Sequence, residues 1–296
     1  MLPHPSLKPL YDKLVWVYVY RDFSGSKPDR AAERILLRFG VSSWPQLFLA
    51  DPNDWKILKH TGRTTESFLA AANAVSVRAT PSDQMLERTR TGEELAVRLE
   101  ERPTTKLARE ALEHDDIVAR SRALGVLASK DPKFVVKRAK ALLEVPNDPF
   151  RYRVCDLLKD AADPSAARAL EALVTKPIDS LNPNVMRIHA VDALGACGDV
   201  RSVRVIAPFA QSGEYFNGLT GKAVDALAAI GKRQKAARKE VRAALKAAYP
   251  HPPEEDDARA RRACVALARR VHKALGEKRP FPQEYDEKAR AKLVNS

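Results

Sequence analysis

Ala190-Val191-Asp192-Ala193-Leu194 returns 33 residues later as Ala223-Val224-Asp225-Ala226-Leu227, and Cys197-Gly198 returns at the same offset as Ile230-Gly231. In each copy the apolar positions fall at i, i+3, i+4 and i+7: Ala190, Ala193, Leu194, Cys197, then Ala223, Ala226, Leu227, Ile230. That spacing is one stripe of an α-helix, and the glycine after it suits a left-handed cap. A helix with a single apolar stripe cannot bury it alone, so a recurring stripe implies helices stacked in series.

Outward from this pair, the same stripe is met at Ala123-Val126-Leu127, Val154-Leu157-Leu158 and Ala263-Ala266-Leu267, at intervals of 31, 36, 33 and 40 residues. Between these first helices lie second ones, with stripes Val135-Ala139-Leu142, Ala166-Leu170-Leu173, Val203-Ile206-Ala207 and Val241-Ala244-Leu245. Asp131-Pro132, Asp163-Pro164 and Asn182-Pro183 mark helix starts, and Pro208 should bend the helix that contains it. Over residues 106–276 the paired helices, small Ala-rich stripes and recurring Asp resemble HEAT-like repeats. The resemblance implies an all-α superhelical solenoid, a fold used more often as an interaction scaffold than as an enzyme. The tetratricopeptide alternative needs a stricter period with aromatic and glycine landmarks that this chain lacks.

The first eighty residues read differently. Leu14 to Tyr20 is β-branched or aromatic almost throughout, as in a buried strand. A helical stripe follows at Ala31, Ile35, Leu36 and Phe39, closed by Gly40. Strands are expected at Gln46–Ala50 and Trp55–Lys59, with a turn at Asp51–Asp54 between them, and a helix from Thr65 to Ala74. This β-α-β-β-α order, with Gly40-Val41-Ser42-Ser43-Trp44-Pro45 before the hairpin and Gly62 after it, resembles the C-terminal half of a thioredoxin-like domain over about residues 6–76. The resemblance implies a cis Trp44-Pro45 bond, with Trp44 and Pro45 on whatever ligand surface that part keeps. A helix near Ser6 to Lys13 would follow the family's Cys-x-x-Cys, but the corresponding Leu2-Pro3-His4-Pro5 has no cysteine. Redox catalysis needs a thiolate and a resolving thiol. We therefore expect a chain truncated at its N-terminus, from a parent that could be exported, or else a degenerate structural domain. The expected organisation is multidomain: a partial α/β thioredoxin-like unit at 1–76, a linker or cap at 77–105 with a short helix Glu93–Glu100, the solenoid at 106–276, and a C-terminal tail at 277–296.

Chemistry-bearing patterns are sparse. Cys155, Cys197 and Cys264 each sit in or at the end of an apolar helical stripe, without redox or zinc-ligand spacing. The six histidines form no ligand or triad pattern, and no phosphate loop or nucleophile elbow is present. Asp156, Asp192 and Asp225 recur at matching positions, where a carboxylate is expected to bond its neighbouring turn rather than to catalyse. No catalytic residue, metal or cofactor is expected, and no apolar run is long enough for a membrane span.

Charge is the remaining signal. The net charge is +13, with 11 Lys/Arg against 7 Asp/Glu in residues 1–80 and 40 against 31 in the remainder. The second helices, taken as 133–144, 165–176, 200–212 and 233–247, hold 14 Lys/Arg against 3 Asp/Glu. The first helices, 118–130, 149–162, 184–197 and 219–230, hold 8 against 4. A cationic groove attracts anionic partners. Lys235, Arg238, Lys239 and Arg242 share one helical face and are the candidate partner-binding residues, together with Trp44 and Pro45. The expected function is a non-catalytic protein-interaction scaffold with an acidic partner. Two alternatives stand beside it: a thiol–disulfide oxidoreductase or chaperone whose cysteines lie on a missing N-terminal segment, and nucleic-acid binding through the basic groove. Few aromatics line those helices, which disfavours binding by base stacking.

Overall fold

The computed structural model describes residues 5–10, 14, 17, 19, 30–41, 46–51, 53–62, 64–75, 82–180, 182–211, 218–253 and 257–296. The protein is mostly helical, with a small two-stranded antiparallel sheet near the N-terminus. Its contacts divide it into two compact units: Met1–Asp131 with Asn147–Phe150, and Pro132–Pro146 with Arg151–Ser296.

The first unit opens with a 3-10 turn, Pro5–Leu10, where a helix over Ser6 to Lys13 is expected. Most of the expected strand Leu14–Tyr20 lies outside the described residues; Leu14, Val17 and Val19 are described and none is in a strand. Helix α1 (Arg30–Arg38) ends at Gly40, whose φ of 64° is the left-handed conformation the sequence suggests. Strands β1 (Phe48–Ala50) and β2 (Ile57–His60) pair antiparallel, Phe48 with His60, Leu49 with Lys59 and Ala50 with Ile57. Leu58 is left over between the last two pairs, which makes a bulge. Helix α2 (Thr65–Asn73) starts at Thr64, whose side chain accepts from the Ser67 amide. Leu7, Leu10, Leu49, Phe68 and Ala71 form the core under this hairpin. Then come α3 (Asp83–Glu101), α4 (Thr105–Leu112) and α5 (Ile117–Lys130). The short helix expected at Glu93–Glu100 is the second half of α3, which buries Met85, Ala96 and Leu99 and packs against α4 and α5.

The second unit begins with α6 (Pro132–Lys137) and α7 (Ala139–Leu143), one expected helix interrupted at Arg138. It continues with α8 (Asp148–Ala161) from Arg151 onward, α9 (Ala167–Thr175), α10 (Pro183–Cys197), α11 (Val200–Ala210), α12 (Leu219–Arg233), α13 (Arg238–Ala247), α14 (Ala258–Leu275) and α15 (Glu287–Asn295). Starts follow capping chemistry. Asn182 caps α10 with Pro183 in the first turn, and Asp199 and Ser202 form a reciprocal capping box at α11. Two layers result: α10 packs on α12 and α12 on α14, while α9 packs on α11 and α11 on α13. Ala190, Ala193, Leu194, Ala223, Leu227 and Ile230 are fully buried between them, so the doubled stripe is the core of this unit.

Its glycines act otherwise than the stripe suggests. Gly198 is extended, at φ −67°, and Gly231 lies inside α12. A Cβ on Gly198 would stand 2.5 Å from the Leu194 carbonyl oxygen, and one on Gly231 would stand 2.9 Å from Val241 Cγ1. Close approach, not a left-handed backbone, excludes a side chain at both positions.

Residues 277–296 are ordered against the last helices. Gly276 ends α14 at φ 68°, and Tyr285 donates to the Pro250 carbonyl at 2.8 Å. Arg290 Nε donates to the Tyr249 carbonyl at 3.2 Å, and the Phe281 ring meets His272 edge-on.

Candidate functional site

The cationic face expected around residues 235–242 is built on the second layer. Lys235 lies in a 3-10 turn, Lys235–Ala237, that runs into α13, and Arg238, Lys239 and Arg242 follow on the helix. All four are exposed, while Val241, Ala244, Leu245 and Ala248 are buried behind them. Arg242 Nη2 reaches Glu277 Oε1 at 2.9 Å, and Arg238 Nε donates to the Gly231 carbonyl at 3.3 Å. Lys235 and Lys239 have no ion-pair partner among the described residues. Arg201 and Arg204 are exposed on α11, the neighbour of α13 in the same layer.

Arg233 leaves this group. It ends α12 and donates to the carbonyls of Gly195 at 2.8 Å and Gly198 at 2.6 Å, helped by Gln234 Nε2 at 3.0 Å from Gly198 O. It therefore satisfies the open carbonyls at the end of α10. Trp44 and Pro45 lie outside the described residues.

The recurring carboxylates reach across the first layer. Asp156 meets His189 Nδ1 at 2.9 Å, so that nitrogen carries the proton, and the His189 ring stacks on Tyr152 at 4.6 Å. Asp192 Oδ2 accepts from Lys159 at 2.9 Å and Lys222 at 3.3 Å. Asp225 accepts from Arg270 at 3.0 Å. Each partner is a side chain on an adjoining helix rather than the neighbouring turn. Burial raises the Asp192 carboxyl, but Lys159 and Lys222 outweigh it and hold the group below the usual carboxylate range. A sequence signal for this was available: a basic residue precedes the Asp by three positions in His189-Ala-Val-Asp192 and Lys222-Ala-Val-Asp225.

The thiols are poor nucleophiles. Cys155, Cys197 and Cys264 are free and buried, and burial pushes Cys197 and Cys264 up to about 11 and Cys155 further. His272 is buried, with Nε2 at 2.8 Å from the Arg279 carbonyl and Nδ1 at 3.1 Å from the Tyr249 hydroxyl. A carbonyl can only accept, so Nε2 carries the proton and Tyr249 donates to Nδ1. Burial pushes Tyr249 itself up to about 12. Among the described residues, no three His, Cys, Asp or Glu side chains gather as a metal site. Among them too, no helix is long and apolar enough to cross a membrane. The chain matches no family model, no curated protein and no solved structure.

Proposed function

We propose that this chain is a non-catalytic scaffold that holds an acidic protein partner against the cationic face of its second helix layer. The observation that carries the reading is the pair Lys235 and Lys239, exposed without a carboxylate beside Arg238 and Arg242, with Arg201 and Arg204 exposed on the neighbouring helix. Unneutralised surface cations raise the local potential and steer an acidic partner to that face. Half-buried Val205 and Phe209 on α11 supply apolar area next to it.

We read the second unit as HEAT-like repeats in a superhelical solenoid. Support comes from the alternation of first and second helices and from bridges at equivalent positions, Asp156 with His189 and Asp192 with Lys222. Residues 6–76 are read as a partial thioredoxin-like domain, supported by the order α1, hairpin, α2 and by Gly62 before the last helix. Buried, high-pKa thiols support a role outside redox chemistry.

The test is retention on a poly-glutamate resin. Lys235→Glu with Lys239→Glu should elute at clearly lower salt than the parent chain, and adding Arg238→Glu and Arg242→Glu should lower it further. Circular dichroism should be unchanged, since Arg242 itself is half exposed and a solvent-screened pair of this kind is worth less than about 1 kcal/mol. Equal retention of all three proteins at low salt would sink the reading.

A further inference from the structure

We propose that α14 carries a second binding surface, one that grips the phosphate backbone of double-stranded nucleic acid. This surface is on the other helix layer and stands apart from the acidic-partner face of α13.

Helix α14 has no Asp or Glu between Ala258 and Leu275. Its buried side is Cys264, Leu267, Ala268, Val271 and His272. Opposite these, Arg259, Arg262, Arg269, Arg270 and Lys273 are all exposed. At 3.6 residues per turn they fall within an arc of about 100°, and Arg262 and Lys273 stand about 17 Å apart along the axis. Ala266 is the exposed residue among them, so the arc is cationic with nothing apolar but one methyl group.

The repeat pattern marks this helix as the exception in its layer. In α10 and α12 a basic side chain is followed three residues later by the bridging Asp: His189 and Asp192, Lys222 and Asp225. The basic side chain of one helix meets the Asp of the helix before, as His189 meets Asp156 and Lys222 meets Asp192. In α14 the pattern gives Arg262 and then Val265. Asp225, the carboxylate due to Arg262, is instead bonded by Arg270. Arg262 and Lys273 are left with no ion-pair partner among the described residues, and Arg269 lies over the Phe281 ring at 5.5 Å. Elsewhere in this layer Lys159 and Lys222 share the Asp192 carboxylate, whereas Arg262 and Lys273 of the last helix meet none among the described residues.

That excess opposes helix stability. Like charges at i,i+4 cost a few tenths of a kcal/mol each, and cations near a helix N-terminus oppose the macrodipole, which Asp257 offsets in part. The wider charge distribution agrees: residues 232–296 hold 18 Lys/Arg against 9 Asp/Glu, so +9 of the net +13 lies there.

Composition selects the ligand. A protein interface needs apolar or aromatic anchors at its centre, and this arc has none. Single strands bind by stacking on exposed aromatics, which the arc also lacks. A duplex backbone needs neither. It presents a regular line of phosphates, and four of the five cations are arginines, whose planar fork suits phosphate oxygens.

The test is fluorescence anisotropy with a mixed-sequence duplex of about two helical turns, at about 50 and about 200 mM salt. The full chain should bind, and Arg262→Gln with Lys273→Gln should lose two phosphate contacts. The ratio of affinities at the two salt concentrations should then shrink by about tenfold, because each lost contact lowers the salt slope by about 0.9. Both side chains are exposed and free of ion pairs, so the fold should survive, as circular dichroism will read. Poly-glutamate retention should fall less in this variant than in Lys235→Glu with Lys239→Glu, which should leave duplex binding intact. No duplex binding by the full chain, or an unchanged salt ratio in the variant, would overturn the proposal. Equal affinity for a single strand of the same length, or an equal loss of poly-glutamate retention, would overturn it as well. Failure of the poly-glutamate arm alone would remove the scaffold reading and leave the α14 surface standing.

Discussion

Arg38 shows how much one side chain can decide. It is 6% exposed and its guanidinium meets Asp116 at 3.1 Å and Glu93 at 2.8 Å, so it joins α1 to α3 and α5. Asp116, 3% exposed, also caps α5 through the amides of Val118 and Ala119. Arg38→Met would keep the volume and strand a buried carboxylate, at a cost of about 3 kcal/mol or more. A urea titration should show the loss. A midpoint within error of the parent protein would contradict the geometry. Asp192 offers a pH test. Its folded pKa is depressed, so its stabilisation is present above the unfolded value near ~3.9 and is lost as pH falls through the folded value. Asp192→Asn should therefore be less stable than the parent at neutral pH, and the two should converge in acid. A gap that stays constant from neutral pH down through the acid range would mean that the Lys159 and Lys222 contacts do not control it.

Among elements, the segment after α14 has the most to reveal. It covers Tyr249 and His272 at the end of the stack, and its anchors are backbone carbonyls, the Phe281 ring and the Arg242–Glu277 pair. Ending the chain at Gly276 would leave the Tyr249–His272 hydrogen bond open to water and remove the packing over it. The loss should be about 2 kcal/mol, or about 5 °C in Tm, with the helix content of the rest kept. An unchanged Tm would make the segment a passive tail. Nothing in its sequence forecasts these anchors. Phe281 and Tyr285 are four apart yet lie outside any helix, and with Arg290 they gain meaning only where Pro250 and Tyr249 are brought to them.

Across the whole molecule, the local signals carried far. Apolar spacing is set by helix geometry, so the helices around 123–127, 154–158, 190–197, 223–230 and 263–267 lie where their stripes place them. Caps such as Asn182 and Asp199, and the hairpin at Phe48–His60, follow equally short-range rules. Charge could be counted from the sequence, but its pairing could not. Lys235 and Lys239 are open while Arg233 is spent on carbonyls some 35 residues away, and that difference depends on which helix each faces. The same holds for Gly198 and Gly231, whose lack of a side chain answers to Leu194 and Val241 rather than to local backbone conformation. The sequence alone determined helix positions, their apolar faces and the excess of positive charge, because these depend on residues within a few turns of one another. Tertiary structure decided which charges are neutralised and which remain for a partner, because an ion pair forms only between groups that folding brings within about 4 Å.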